Sequence, residues 1–72
     1  MSDFDPSYVF SHHAASPEQL AQFASIHEGA KQFAEVLLRT VPDCTDRDQV
    51  LQLLRETAML ACSAVSLSGR LK

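Results

Sequence analysis

The sequence predicts an all-α protein, in which an antiparallel two-helix hairpin follows an irregular N-terminal arm and assembles into a compact helical homo-oligomer. Start signals and apolar residues at spacings of three and four define two long helices, at about residues 17–40 and 46–68. The connection between them is short, which folds one helix back along the other. The chain has 72 residues, of which 46% are hydrophobic. One domain of this size rarely covers so much apolar surface alone, so we expect partner subunits.

Residues 1–15 form the predicted arm. The arm carries several apolar side chains: Phe4, Tyr8, Val9 and Phe10. An arm this apolar is expected to pack against a surface, because leaving it in water would forfeit the hydrophobic stabilisation.

The first helix of the hairpin domain, which spans residues 16–69, is expected over 17–40. Ser16 is a favourable N-cap, Pro17 suits the first helical position, and Gln19 completes a capping box. Its apolar residues form one stripe: Leu20, Phe23, Ile26, Ala30, Phe33, Ala34 and Leu37. Pro42 ends the helix, since the residue before a proline avoids the helical region.

The second helix is expected over 46–68, with Thr45 as its cap, Gly69 as its stop and a tail at 70–72. One apolar stripe can face the first helix: Val50, Leu51, Leu54, Ala58, Ala61, Cys62 and Val65. A second stripe, with members seven residues apart, consists of Leu53, Leu60 and Leu67. Because one partner helix cannot cover both stripes, we expect the second stripe to meet another copy of the chain.

Charge and cysteine content exclude several functions. Six basic residues against nine acidic ones give a formal net charge of −3, whereas DNA binding needs a basic surface. The longest uncharged run, residues 57–69, is shorter than the roughly 20 residues of a membrane span. Cys44 and Cys62 lack the spacing of a zinc motif and are expected to be reduced thiols.

Candidate reactive groups are few. His12 and His13 are adjacent, but no third metal ligand follows at a suitable spacing, so local packing is the simpler interpretation. No serine or cysteine is patterned with a base and an orienting group, and no glycine-rich phosphate loop is present. We therefore expect no enzymatic activity and no cofactor.

Lys31 is the candidate binding residue. It follows Gly29 and Ala30, and a lysine flanked by small residues can reach into a pocket as a point charge for phosphate. The alternative is an ordinary solvated lysine paired with one of the nearby glutamates: Glu28, Glu35 or Glu56. Gly29 costs about 1 kcal/mol against alanine inside a helix, which indicates either a close approach or tolerated slack.

Four segments together resemble a known family: Phe10-Ser11-His12-His13, Ser16-Pro17-Glu18-Gln19, Gly29-Ala30-Lys31-Gln32-Phe33-Ala34 and Ala58-Met59-Leu60-Ala61-Cys62-Ser63-Ala64-Val65. They are similar to the two helices of the Acb/Tad hairpin domain, a family of phage anti-defence proteins, and the similarity spans about residues 10–67. In that family small helical hairpins assemble into a homo-oligomer, commonly a hexamer. They bind cyclic oligonucleotide second messengers without cleaving them, which blocks CBASS immunity.

The resemblance implies a sponge that sequesters cyclic dinucleotides such as 3′,3′-cGAMP in the cytoplasm of the infected bacterial host, with cyclic trinucleotides as a second ligand class. It implies that Lys31 binds phosphate. We place Gly29 in the same site, because a close approach accounts for a glycine in mid-helix. The resemblance also implies that the arm supplies a base-stacking lid, from Tyr8, Phe10, His12 and the adjacent His13.

The chain departs from the family pattern at three places. His12 stands where tyrosine is usual, Leu60-Ala61-Cys62 where Trp-Ala-Asn is common, and Leu67 where an arginine is common. The last two differences favour dinucleotides over trinucleotides. The alternative function is a small helical module that binds a host protein, in which case Lys31 would be solvated; a metal-dependent enzyme using the histidines is the weakest alternative.

Overall fold

The computed structural model describes residues 4–70, and every regular element in that range is helical. The helices are α1 (Pro6–Val9), α2 (Pro17–Thr40) and α3 (Thr45–Ser66). The two long helices, α2 and α3, pack against each other as an antiparallel hairpin, which confirms the predicted helical class and the pairing. Residues 1–3 of the predicted arm and 71–72 of the predicted tail lie outside the described residues.

The expectation of an irregular arm is wrong where α1 forms. The Asp5 carboxylate accepts hydrogen bonds from the backbone N–H groups of Ser7 and Tyr8 at 3.1 and 3.3 Å, and Pro6 occupies the first helical turn. These groups satisfy amide donors that a free helix start leaves open. An aspartate followed by proline is a helix-start signal in its own right.

The predicted capping box starts α2. The Gln19 N–H donates to Ser16 Oγ at 3.1 Å, and the Ser16 N–H donates to Gln19 Oε1 at 2.9 Å. Gln19 also donates through Nε2 to the carbonyl oxygen of Val65 at 3.0 Å. One side chain therefore begins α2 and ties it to the far end of α3.

The bounds of α3 differ from the expectation at both ends. Thr45 is the first helical residue rather than the cap, and Cys44 occupies the N-cap without a side-chain hydrogen bond. At the other end, Ser68 (φ 55°) and Gly69 (φ 75°) are both left-handed. The Gly69 N–H donates to the carbonyl of Ala64 and the Ser68 N–H to that of Val65. This is a Schellman motif, and it ends the helix before Ser68.

The seam between α2 and α3 follows the predicted stripes but is only half covered. Its half-buried apolar residues are Phe23, Ile26, Ala30, Ala34, Leu37, Leu51, Leu54, Ala58, Ala61, Cys62 and Val65. Leu20, Phe33 and Val50, which the pattern also placed on the seam, remain exposed. Among residues 4–70 the only buried hydrophobic residue is Leu67, at 6% exposure.

The burial of Leu67 corrects its assignment to an outer stripe. The arm docks at this residue, and the Tyr8 hydroxyl donates to the Leu67 carbonyl oxygen at 2.7 Å. The other two members of that stripe, Leu53 and Leu60, are exposed, Leu60 by 71%. The uncovered stripe is therefore shorter than the sequence predicts.

A single chain exposes more surface than a compact protein of its size. Its accessible surface is 5450 Å², against about 4,400 Å² for a folded monomer of this mass. Its radius of gyration is 15.3 Å, against about 11 Å for a compact domain of this length. The excess surface, about 1,000 Å², is similar to what one partner buries in a standard protein interface.

None of the helices within residues 4–70 combines the length and apolarity that crossing a bilayer requires.

Candidate functional site

Tyr8 is held by its own chain. Its hydroxyl donates to the Leu67 carbonyl oxygen, and the Arg70 guanidinium carbon lies over its ring, 3.9 Å from the ring centroid. The His13 ring meets it edge-on at 4.6 Å, and His13 Nε2 lies 2.6 Å from the Tyr8 carbonyl oxygen. Two of the predicted lid residues, Tyr8 and His13, therefore anchor the arm.

Phe10 and His12 remain at the surface. The Phe10 side chain is 79% exposed, and its main ring contact is with Phe4, at 6.0 Å between centroids. His12 is exposed and forms no hydrogen bond within the described part of the chain. Of the predicted lid, Phe10 and His12 are thus the rings available to stack on a flat ligand.

Lys31 lies at a pocket of about 280 Å³ between α2 and α3. The half-buried side chains in its lining are apolar and form the floor: Ala30, Ala34, Leu51 and Leu54. The exposed ones form the mouth: His27, Lys31 and Arg55. The volume is below the ~300–1,000 Å³ of pockets that enclose a drug-sized ligand, so one chain can hold only part of a larger molecule here.

Within residues 4–70, the cations at this mouth form no ion pair with an acidic side chain. Glu28 accepts a hydrogen bond from Gln32 at 3.1 Å, and Glu56 accepts one from Gln52 at 3.2 Å. Within residues 4–70, neither Lys31 nor Arg55 has a carboxylate at salt-bridge distance. The alternative in which Lys31 pairs with a neighbouring glutamate is therefore not observed, and both cations can receive an anion.

Arg55 is the site residue that the sequence interpretation missed. In an antiparallel hairpin, positions equally distant from the connection at 41–44 face each other. Counting outward from that connection places Lys31 opposite Leu54 and Arg55, and the pocket contains all three. The short connection and the two helix boundaries were the signals that could have found it.

Gly29 lines a neighbouring pocket of about 240 Å³, on the side of the seam that holds Phe33 and Thr57. A Cβ built at Gly29 would meet nothing within 4 Å in the described chain. Packing within one chain therefore does not require glycine here. The structure places Gly29 beside the Lys31 pocket, with Ala30 and Leu54 shared between the two linings.

His27 and Cys62 connect the two helices next to the pocket. The Cys62 Sγ lies 3.5 Å from His27 Nε2, a hydrogen-bonding distance for a thiol, and both cysteines are free thiols. In the part of the chain that the structure describes, no three histidine, cysteine or acidic side chains converge as metal ligands.

Within one chain the arm and the Lys31 pocket lie apart. The arm is anchored at Leu67, twelve helical positions from Arg55, which corresponds to about 18 Å along the helix axis. The predicted lid and the predicted phosphate site can therefore share a ligand only if the arm belongs to another copy.

Comparison with protein-family models, with curated protein sequences and with solved structures finds no match to this chain.

Proposed function

We propose that this chain is a non-enzymatic phage anti-defence protein that binds and sequesters cyclic oligonucleotides, cyclic dinucleotides first, in the cytoplasm of the infected bacterium. The observation that carries the proposal is Lys31, a cation without an acidic partner in the described chain, at the mouth of an apolar-floored pocket. Such a pocket suits a phosphodiester: the ammonium group meets the charge, and the floor receives the adjoining sugar carbons. The sequence resemblance to the Acb/Tad hairpin domain supplies the ligand class.

The proposal includes a homo-oligomer, a hexamer as is common in the family that the sequence resembles. Two observations support assembly: the excess accessible surface, and the exposure of Leu53 and Leu60 on α3. A second copy also supplies what one chain lacks, which is an aromatic arm near the Lys31 pocket. We propose that Phe10 of one copy stacks on a base whose phosphate lies at Lys31 of another.

The expected interactions are strong enough to matter for affinity. Stacking of a base on an aromatic side chain contributes about 1–3 kcal/mol, and a hydrogen bond to a charged group about 1.5–3 kcal/mol. Two symmetric copies would supply each interaction twice. Assembly before ligand binding lowers the ordering cost, which otherwise offsets such contacts.

The second candidate function is a helical module that binds a host protein. The observation in its favour is the exposed apolar face of α3 that contains Leu53 and Leu60. Contiguous exposed apolar surface marks a protein contact of some kind. In that function the Lys31 pocket would have no ligand, so nucleotide binding distinguishes the two candidates.

The test is calorimetric titration of the full chain with 3′,3′-cGAMP, other cyclic dinucleotides and cyclic trinucleotides, with a linear dinucleotide of the same bases as control. We expect tight binding of a cyclic dinucleotide and recovery of intact ligand after the complex is denatured. Linear products would identify an enzyme instead. If no cyclic oligonucleotide binds, the sponge function is wrong, and a stable monomer in light scattering would overturn the assembly.

A further inference from the structure

We infer that Arg55 is a second phosphate-binding cation that acts with Lys31 across the hairpin, so that each chain carries a complete two-cation pocket for a phosphodiester. This inference rests on the proposed function, and it identifies the group that holds the ligand's phosphate together with the lysine. It assigns a ligand contact to α3, whereas the resemblance assigns the phosphate contact only to α2.

The placement of Arg55 follows from the packing of two long helices. Lys31 and Arg55 enter the same pocket from opposite helices, and the half-buried residues beneath them fix the spacing between those helices. Functional groups that project from packed helices are held more precisely than groups on loops. The backbone positions that carry the two cations are therefore set before any ligand arrives.

The two cations offer different chemistry to a phosphodiester. A lysine ammonium is a compact point charge, whereas a guanidinium is a planar fork that can donate to both non-bridging oxygens at once. A phosphodiester has two such oxygens and one negative charge. Arg55 would therefore fix the orientation of the phosphate, and Lys31 would add charge from the opposite wall.

The surroundings keep Arg55 available for this role. In the described chain, the adjacent Glu56 carboxylate accepts a hydrogen bond from Gln52, and no acidic group pairs with Arg55. His27 shares the pocket mouth, but its Nε2 is directed at the Cys62 thiol. The phosphate contact is accordingly assigned to Lys31 and Arg55 alone.

The experiment is calorimetric titration of 3′,3′-cGAMP into the wild type, Arg55→Gln, Arg55→Lys and Arg39→Gln. Because Arg55→Gln loses a charge-assisted contact, it should bind 3′,3′-cGAMP about ten- to a hundredfold more weakly than the wild type does. Arg55→Lys should recover only part of the loss, because the fork is missing. Arg39 is exposed in the last turn of α2, outside the pocket, so Arg39→Gln removes the same charge and should bind within about twofold of the wild type.

A second probe separates failure of this inference from failure of the proposed function. Inorganic tripolyphosphate, followed by ³¹P line broadening, reports the cation pair without any base. If no cyclic nucleotide binds, but tripolyphosphate binds to the wild type and not to Arg55→Gln, the sponge function fails and the two-cation pocket stands. If Arg55→Gln binds 3′,3′-cGAMP as tightly as the wild type, the inference is overturned and the function stands. If the wild type binds neither ligand, the inference and the proposed function are both overturned. Circular dichroism confirms that each variant is folded.

Discussion

The Tyr8 hydroxyl donates a 2.7 Å hydrogen bond to the carbonyl oxygen of Leu67, and this contact fixes the N-terminal arm on the end of α3. The last carbonyls of a helix have no partner within the helix, and the Leu67 carbonyl accepts from the Arg70 N–H as well as from this hydroxyl. The Arg70 guanidinium over the Tyr8 ring adds a cation–π contact on the same anchor. The anchor lies at Leu67, the only buried hydrophobic residue within 4–70.

Tyr8→Phe removes the hydroxyl but leaves the ring beneath Arg70. The free energy of unfolding should fall by about 0.5–1.5 kcal/mol, the net value of a typical hydrogen bond. The loss stays at the lower end because the Leu67 carbonyl also accepts from the Arg70 N–H at 3.0 Å. Urea unfolding followed by circular dichroism at equal protein concentration measures the change. Tyr8→Ala, which also removes the ring, should lose more; equal stabilities of both variants and the wild type would show that the arm is not anchored.

Phe10→Ala tests the exposed ring as the stacking residue. Because the side chain is 79% exposed, its removal should change the free energy of unfolding by less than about 0.5 kcal/mol. Affinity for a cyclic dinucleotide should fall by about 1–3 kcal/mol per stacked base. Phe10→Tyr preserves the ring and is the control for calorimetry. Unchanged affinity of Phe10→Ala would assign stacking to a different residue.

The local signals of the sequence predicted most of the fold, because they act over three or four residues. The Ser16–Gln19 capping box and the proline at position 42 define α2, and the structure contains both. The short helix α1 was not predicted, although its start, an aspartate at position 5 followed by Pro6, is a local helix-start signal. Leu67 was misplaced because a seven-residue spacing gives no information about an arm that docks from the other end of the chain.

The candidate site was only partly predictable. Lys31 stands out in the sequence because small residues precede it, whereas Arg55 lies among other charged residues of a helix and has no local mark. Its importance follows from the hairpin register, which is a long-range property. The arm residues were predicted as one lid, but the hydrogen bonds from Tyr8 to Leu67 and between His13 and Tyr8 make these two residues anchors and leave the other two rings exposed. Such contacts depend on tertiary packing and leave no periodic pattern.

Lys31→Ala should abolish binding of cyclic dinucleotides and leave helix content and assembly unchanged. The lysine has no ion pair within the described residues, so the free energy of unfolding should change by less than about 0.5 kcal/mol. Lys31→Met keeps the aliphatic stem and removes the charge alone. Both variants should lose binding in calorimetry; an affinity equal to that of the wild type in either would remove Lys31 from the site.

The exposed pair Leu53 and Leu60 should govern assembly. Glutamate at both positions places charges in an apolar interface, where they are costly without partners, so light scattering should detect monomers. Gln32→Glu adds one charge at an exposed position of α2, the helix that does not carry this pair, and should leave the assembly intact. Leu67→Ala, by contrast, should destabilise the chain by about 2–5 kcal/mol, as expected for a buried leucine. An intact oligomer in the double glutamate variant would place the interface elsewhere.

Gly29→Ala separates the demands of one chain from those of the assembly with its ligand. A Cβ at this position meets nothing within 4 Å in the described chain, and alanine is favoured over glycine inside a helix by about 1 kcal/mol. Thermal or urea unfolding should therefore show higher stability. If Gly29 lies in the site, a methyl group should obstruct the ligand or the approaching arm, and calorimetric affinity should fall. Ser25 lines the same pocket. Because Ser25→Ala adds no volume there, this variant should bind the ligand as the wild type does. Higher stability with unchanged affinity would show that ligand binding does not require a glycine at this position and would remove Gly29 from the site.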